Sequence, residues 1–222
     1  MNVAGIPKSS YIGGMKKIIV FAIALFAAVA ALAQTPEEIV SRMETAMNNH
    51  KNDGISMVID IKIPILGSMV STSYTLGDKT RVEADMAGVA IITWADGKTL
   101  WTYNAKDNEI EIKDWSPTEK SNSDGDVSMF ENITDGYKLT IRDEKNDAWY
   151  LVCSKLKSNP DKDAPKTIDL VIAKDTYYPI SLTTKASGIT LTMRDVSFGV
   201  DPALVTFNQA DYPTAKINDK RK

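Results

Sequence analysis

A long succession of segments in which apolar and polar residues alternate with a period of two limits this chain more than any other feature. From Ile55 to Ile63 the apolar side chains fall at 55, 57, 59, 61 and 63, with Ser56, Asp60 and Lys62 between them. A helix, with its period of 3.6, cannot place such a set on one side; a strand with one dry and one wet face can. The pattern recurs over 69–76, where Val70, Thr72, Tyr74 and Leu76 share a phase, and over 80–86, where Val82, Ala84 and Met86 do. Further runs lie at 89–94, 98–103, 109–113, 137–143, 148–156, 166–174, 179–185 and 189–200, about eleven strands in all. Asp96-Gly97 between two of them is a strong hairpin signal. In the last run the apolar phase moves from 189, 191 and 193 to 196, 198 and 200, as a β-bulge would cause. The connections are short, no repeat of domain-building period is visible, and no linker divides the chain. A mainly β fold is expected, one large curved antiparallel sheet with few helices.

One amphipathic helix precedes the strands. Thr35-Pro36-Glu37-Glu38 is a capping box with proline at the first helical position, and Ile39, Val40, Met43, Ala46 and Met47 recur at helical spacing. Asn48, Asn49 and His50 end it. A helix this short is not stable alone in water, so its apolar face must lie on the sheet. Residues 114–126 break the alternation with Pro117, Ser121, Asn122, Ser123, Asp124 and Gly125, a long polar loop, and a short helix is expected over 127–134.

The N-terminal region is expected to be removed. Lys16 and Lys17 follow Met15, an apolar run extends from Ile18 to Ala30, and Ala31-Leu32-Ala33 offers a small-x-small cleavage site before Gln34. These are the parts of a secretory signal peptide, with 1–14 as an upstream extension. The apolar run falls short of the roughly 20 residues that a membrane-spanning helix needs. No cysteine stands at the cleavage point to carry a lipid anchor. The expectation is therefore an exported, periplasmic, unanchored chain, residues 34–222, forming a single domain.

Composition excludes several classes. Without Lys8, Lys16 and Lys17, the 26 basic residues fall to 23 against 29 acidic ones, a formal charge of −6, which is no match for nucleic-acid phosphates. Cys153 is the one cysteine, so no internal disulfide can form; it alternates in phase with Trp149 and Leu151 and reads as a buried, inert thiol. His50 is the only histidine, and no nucleophile–base pair, G-x-S-x-G, H-E-x-x-H or P-loop is visible. Asn122, Asp124 and Asp126 alternate without the glycine and glutamate of a calcium loop. No enzyme, metal or cofactor is expected.

A hollow can be argued from the strands themselves. With Asp96-Gly97 as a two-residue turn, Trp94 faces Thr99, Ile92 faces Trp101 and Ala90 faces Tyr103, so Ile92, Trp94, Trp101 and Tyr103 gather on one side. Adding Met57, Ile59, Ile61, Val82 and Met86 makes one broad apolar face, roofed by Met43 and Met47 of the leading helix. One helix of about fourteen residues and a shorter one cannot cover a sheet of this size, so core side chains or a ligand must fill the rest. The methionines, at 43, 47, 57, 69, 86, 129 and 193, suit variable apolar guests, although they also fill gaps in ordinary cores.

The segment Ala95-Asp96-Gly97-Lys98-Thr99-Leu100-Trp101-Thr102-Tyr103-Asn104 resembles the "DGktlWxYdp" signature of the LolA-like lipoprotein carrier family. In matching order, Tyr178-Pro179-Ile180-Ser181-Leu182 followed by Gly188-Ile189-Thr190 is similar to that family's "yPxxl…G" strand pair, and Phe207 to Pro213 to its C-terminal "FxxxxxP". The resemblance implies an open antiparallel half-barrel of about eleven strands with a helical lid. It also implies a monomeric carrier that holds lipoprotein acyl chains, receives them from an inner-membrane releasing transporter and gives them to an outer-membrane acceptor. A lipid- or lipoprotein-sensing module of the same fold, which transports nothing, is the alternative. One motif departs: where the family has an Arg-Pro pair on an early strand, Leu76-Gly77 stands here, with Arg81 nearby but offset.

Overall fold

The computed structural model describes residues 34–65, 67–115, 130–145 and 147–222. The expected signal peptide and most of the polar loop and short helix over 114–134 lie outside these residues. The described end of that helix, 130–134, is turn apart from 3-10 geometry at Phe130. Pro36–Lys222 forms one compact unit.

Helix α1 (Pro36–Asn48) leads into β1 (Ile55–Ile63), β2 (Gly67–Leu76), β3 (Lys79–Met86), β4 (Val89–Ala95), β5 (Thr99–Asn104) and β6 (Glu109–Asp114). Then come β7 (Tyr137–Glu144), β8 (Ala148–Lys155), β9 (Thr167–Ala173), β10 (Pro179–Ala186), β11 (Ile189–Phe198) and a short β12 (Lys216–Asp219). They make one sheet in the order β12-β6-β5-β4-β3-β2-β1-β11-β10-β9-β8-β7. The two edges, β12 and β7, do not pair, so the sheet stays open, a half-barrel. All eleven expected strands are present. The twelfth was not expected, and it runs parallel to β6, Lys216 beside Glu109 and Asn218 beside Glu111.

The expected bulge lies in β11. Ser56 pairs with Ser197 and Val58 with Arg194, so Asp195 and Val196 face Met57 alone, with Asp195 at φ +55°. The extra residue shifts the apolar phase by one.

Helix α1 buries Ile39, Val40, Met43 and Met47 against one face of the sheet, hereafter the inner face. Each such side chain contributes about 1.5–3 kcal/mol when fully removed from water. Their partners are large side chains of β1 and β8–β11, including Met57, Trp149, Leu151, Leu170 and Leu182. Arg42 Nη1 donates to the Tyr177 hydroxyl at 2.9 Å, and the Asn132 N–H donates to Glu44 Oε1 at 3.1 Å. Just past the helix, His50 stacks on Phe198 and bonds Asp53 (2.7 Å) and Tyr178 (2.6 Å) through its two ring nitrogens.

Candidate functional site: the inner face of the sheet

Paired residues in a ladder share a face, so the register decides which side chains can meet. One row crosses the sheet as Met57, Ser73, Val82, Thr93 and Thr102; since Met57 packs under α1, this row is inner. The neighbouring row runs Ser56, Tyr74, Arg81, Trp94, Trp101 and Ile112, and is outer. No register shift interrupts the pairing from β1 to β6.

This corrects the single apolar face expected from the sequence. Ile92, Trp94, Trp101 and Tyr103 do cluster together, with Trp94 opposite Trp101 and Ile92 opposite Tyr103. They lie on the outer face, opposite to Met57, Ile59, Ile61, Val82 and Met86. The hairpin turn also centres one residue later than expected, on Gly97-Lys98, with the Asp96 N–H donating to the Thr99 carbonyl at 3.2 Å. The last pair is Ala95 with Leu100, and the Asp96 carboxylate accepts from the N–H groups of Lys98 (3.0 Å) and Thr99 (2.7 Å), with Gly97 at φ +83°. Moving the register by two residues leaves the four side chains on a shared side. The register across β1–β4 is what places that side opposite to Met57.

The outer aromatic cluster is closed by the chain itself. Phe207 stacks on Trp101 at 5.2 Å and meets Trp94 edge-on at 5.5 Å, while Tyr212 lies 5.7 Å from Trp94 and 4.6 Å from Tyr103. Arg81 sits over the Trp94 ring, pairs with Glu83 and donates to the Leu204 carbonyl. Burial pushes the Tyr212 hydroxyl above its usual value, against the pull of Arg81. The sequence did present Phe207 and Tyr212, in the terminal motif, but no local signal tied them to the tryptophans.

The inner face divides into two parts. Met43, Met47 and Met57 are fully buried in the packed core beneath α1, so they line no free space. Beyond them Ile59, Ile61 and Val82 are half-buried, as is Ile91, which the sequence reading did not single out. Met86 is 55% exposed at the end of β3. Strand β2 reverses its expected phase: Ser71, Ser73 and Thr75 point inward and are buried, whereas Val70, Thr72, Tyr74 and Leu76 point outward. With Ala84, Thr93 and Thr102 on the same face, the middle of the sheet carries short side chains. The Thr75 hydroxyl is buried without a hydrogen-bond partner among the described residues.

Reactive groups are tied up elsewhere. Cys153 is wholly buried, and desolvation, aided by Asp169, pushes its thiol up to about 11, which keeps it protonated and unreactive near neutral pH. A separate cleft of about 310 Å³ between α1 and β7 is lined by Glu37, Glu44, Asp135 and Tyr137, among others. Desolvation, with Asp135 and Glu131 nearby, raises the Glu44 carboxyl above its usual range despite the Asn132 N–H.

No family model matches the sequence, and no curated protein does. Solved structures similar to this chain include an uncharacterized conserved protein from Thermus thermophilus, at 15% identity and TM-score 0.46, covering 84% of this chain and 100% of that one. Another is the lipoprotein LppX of Mycobacterium tuberculosis, at 12% identity and TM-score 0.47, covering 73% of this chain and 94% of that one. A third is a LolA superfamily protein from Nitrosomonas europaea, at 12% identity and TM-score 0.33, covering 80% of this chain and 100% of that one. Each likeness is one of chain course alone; what this chain binds is decided by its own side chains.

Proposed function

We propose that the protein is a monomeric periplasmic carrier, not an enzyme, that holds the acyl chains of lipoproteins against the inner face of its sheet. One observation carries this reading. A continuous inner face, closed by α1 over β7–β11, passes into a stretch of β1–β4 where Ile61, Val82 and Ile91 stand half-buried around short Ser and Thr side chains. An acyl chain gains about 0.8 kcal/mol per buried methylene and needs no fixed polar contact, so such a surface suits it. The donor and acceptor would be the inner-membrane transporter and outer-membrane receptor that the sequence motifs imply. Titration with a long-chain fluorescent fatty acid tests the reading. Binding is expected, weakened at least about tenfold by Ile61→Asp or Ile91→Asp, since a carboxylate is costly beside an apolar guest. Trp101→Leu, on the outer face, leaves affinity unchanged. A protein that takes up no acylated ligand ends the proposal.

A non-transporting lipid- or lipoprotein-sensing module is the second reading, favoured at the Leu76-Gly77 position. Gly77 has φ +61°, which proline cannot adopt, so the turn there is built differently from an Arg-Pro strand. Delivery of a lipoprotein to acceptor membranes separates carrier from sensor.

A further inference from the structure

The exposed apolar side chains of this protein are concentrated. Among the described residues seven large ones are exposed, and Ile65, Val70, Met86 and Ile189 lie on three neighbouring hairpins, β1–β2, β3–β4 and β10–β11. These occupy six consecutive places in the sheet, and antiparallel pairing brings their tips to one end. The last pairs before each tip are Ile63 with Gly67, Met86 with Val89 and Ala186 with Ile189. The first and third tips touch: a Cβ added to Gly188 would come within 3.3 Å of Pro64 Cγ. At about 4.8 Å between strands the row of tips is about 24 Å wide.

Turn tips ordinarily carry polar residues, glycine and proline, so an apolar row there calls for a partner. Ile65 is fully exposed and holds φ +71°, an outlier conformation for a β-branched residue. Charge identifies the partner. Lys62 and Lys185 are exposed, and both pair with Thr190, which places them on either side of that residue, two strands apart, on the outer face just behind the tips. Of the acids on these strands, Asp60 is paired with Arg194, and Asp85 accepts from the Gly88 N–H at 2.7 Å. An apolar edge with a cationic shoulder is the signature of a surface that enters an anionic lipid interface. We infer that this rim docks the protein edge-on to an anionic bilayer. Ile65, Met86 and Ile189 enter the acyl boundary, and Lys62 and Lys185 meet headgroup phosphates. Ile61 and Leu191 lie immediately behind the rim on the inner face. The inference thus extends the acyl-binding reading by naming where a chain enters, yet its own test requires no acyl ligand.

The test is flotation of the exported protein, its N-terminus fixed by mass spectrometry, with phosphatidylcholine vesicles with and without phosphatidylglycerol. The protein is expected to float with the anionic vesicles. Ile65→Asp and Met86→Asp each weaken partition by about tenfold, as loss of a buried aliphatic side chain implies. Lys62→Gln and Lys185→Gln each cost about fivefold and only on anionic vesicles, with the loss mimicked by salt. Unchanged thermal midpoints show the variants folded. Absence of flotation, or equal flotation of the Ile65→Asp/Met86→Asp double variant, overturns the inference. So does a dimer in sedimentation velocity that this variant abolishes, because a second copy would then cover the rim. Fatty-acid titration of the unsubstituted protein stands apart: vesicle binding without fatty-acid binding sinks the carrier proposal and leaves the rim intact.

Discussion

The two halves of the sheet bury their apolar surface in opposite ways. Over β7–β11 the inner face carries large residues, Trp149, Leu151, Leu170 and Leu182, and α1 closes it with four side chains. Over β2–β5 the inner face carries Ser71, Ser73, Thr75 and Thr93, while the bulky rings stand on the outer face beneath Phe207 and Tyr212. The chain seals the first half from inside and the second from outside. The lesson is that strands carrying short side chains on one face can be stabilised by a second, separate core on the other.

Substitutions in the closed half should have the largest effect on that contrast. Leu170→Ala removes a fully buried side chain and is expected to cost about 2–5 kcal/mol in chemical denaturation, as core cavities do. In the open half, Ser73→Ala on the inner face should change stability by less than about 1 kcal/mol, because almost no packing is lost. Equal losses at both positions would erase the distinction.

Next in size is the outer seal. Phe207→Ala is expected to lower stability by about 1–3 kcal/mol, and a double-mutant cycle with Trp101→Ala to return a coupling of about 0.5–1.5 kcal/mol for the stacked pair. Acyl affinity should stay as it was, since these rings lie on the far side of the sheet from the proposed site. A parallel loss of affinity would mean that the two faces are not independent.

Smaller effects are expected at the margins. Glu44 has a raised folded value, so its charged form opposes folding, and stability should rise as the carboxyl protonates on acidification. Glu44→Gln keeps an acceptor for the Asn132 N–H and should raise the thermal midpoint by a degree or two, on the order of 0.5 kcal/mol at most. At the β6–β12 edge the sign reverses. Hydrogen bonds from Asn218 and Lys216 hold the Glu109 carboxyl below its usual range, and Lys113 and Lys220 do the same for Glu111. Their contribution is complete above the ordinary carboxylate value and is lost as pH falls through the lowered one. Amide protection factors in β12 should therefore fall before those of β9 once the pH drops below the ordinary carboxylate range; simultaneous loosening of the two strands would rule out an edge held by these carboxylates.

The alternation of side chains was enough to place eleven strands, the bulge in β11 and the helix that opens the domain, because each is set by residues close in sequence. Four of the proposed lining residues, Ile92, Trp94, Trp101 and Tyr103, were grouped correctly with one another for the same reason: they flank one short connection. Joining them to Met57 needed the register of three further strand pairs, and β4 gave no local guide, since Ile91 and Ile92 are apolar on opposite faces. In β2 the larger side chains misled, for Val70 and Tyr74 face outward and the serines inward. Strand β12, Lys216-Ile217-Asn218-Asp219, has no apolar alternation at all. It is held by backbone pairing and by lysine and asparagine contacts to Glu109 and Glu111, more than a hundred residues earlier. Period and turn chemistry are local and can be read from the chain. Which face of a strand continues which face of its neighbour, and what covers it, is fixed only when distant segments pack, and for this protein that choice sets which face carries the short side chains and which the aromatic seal.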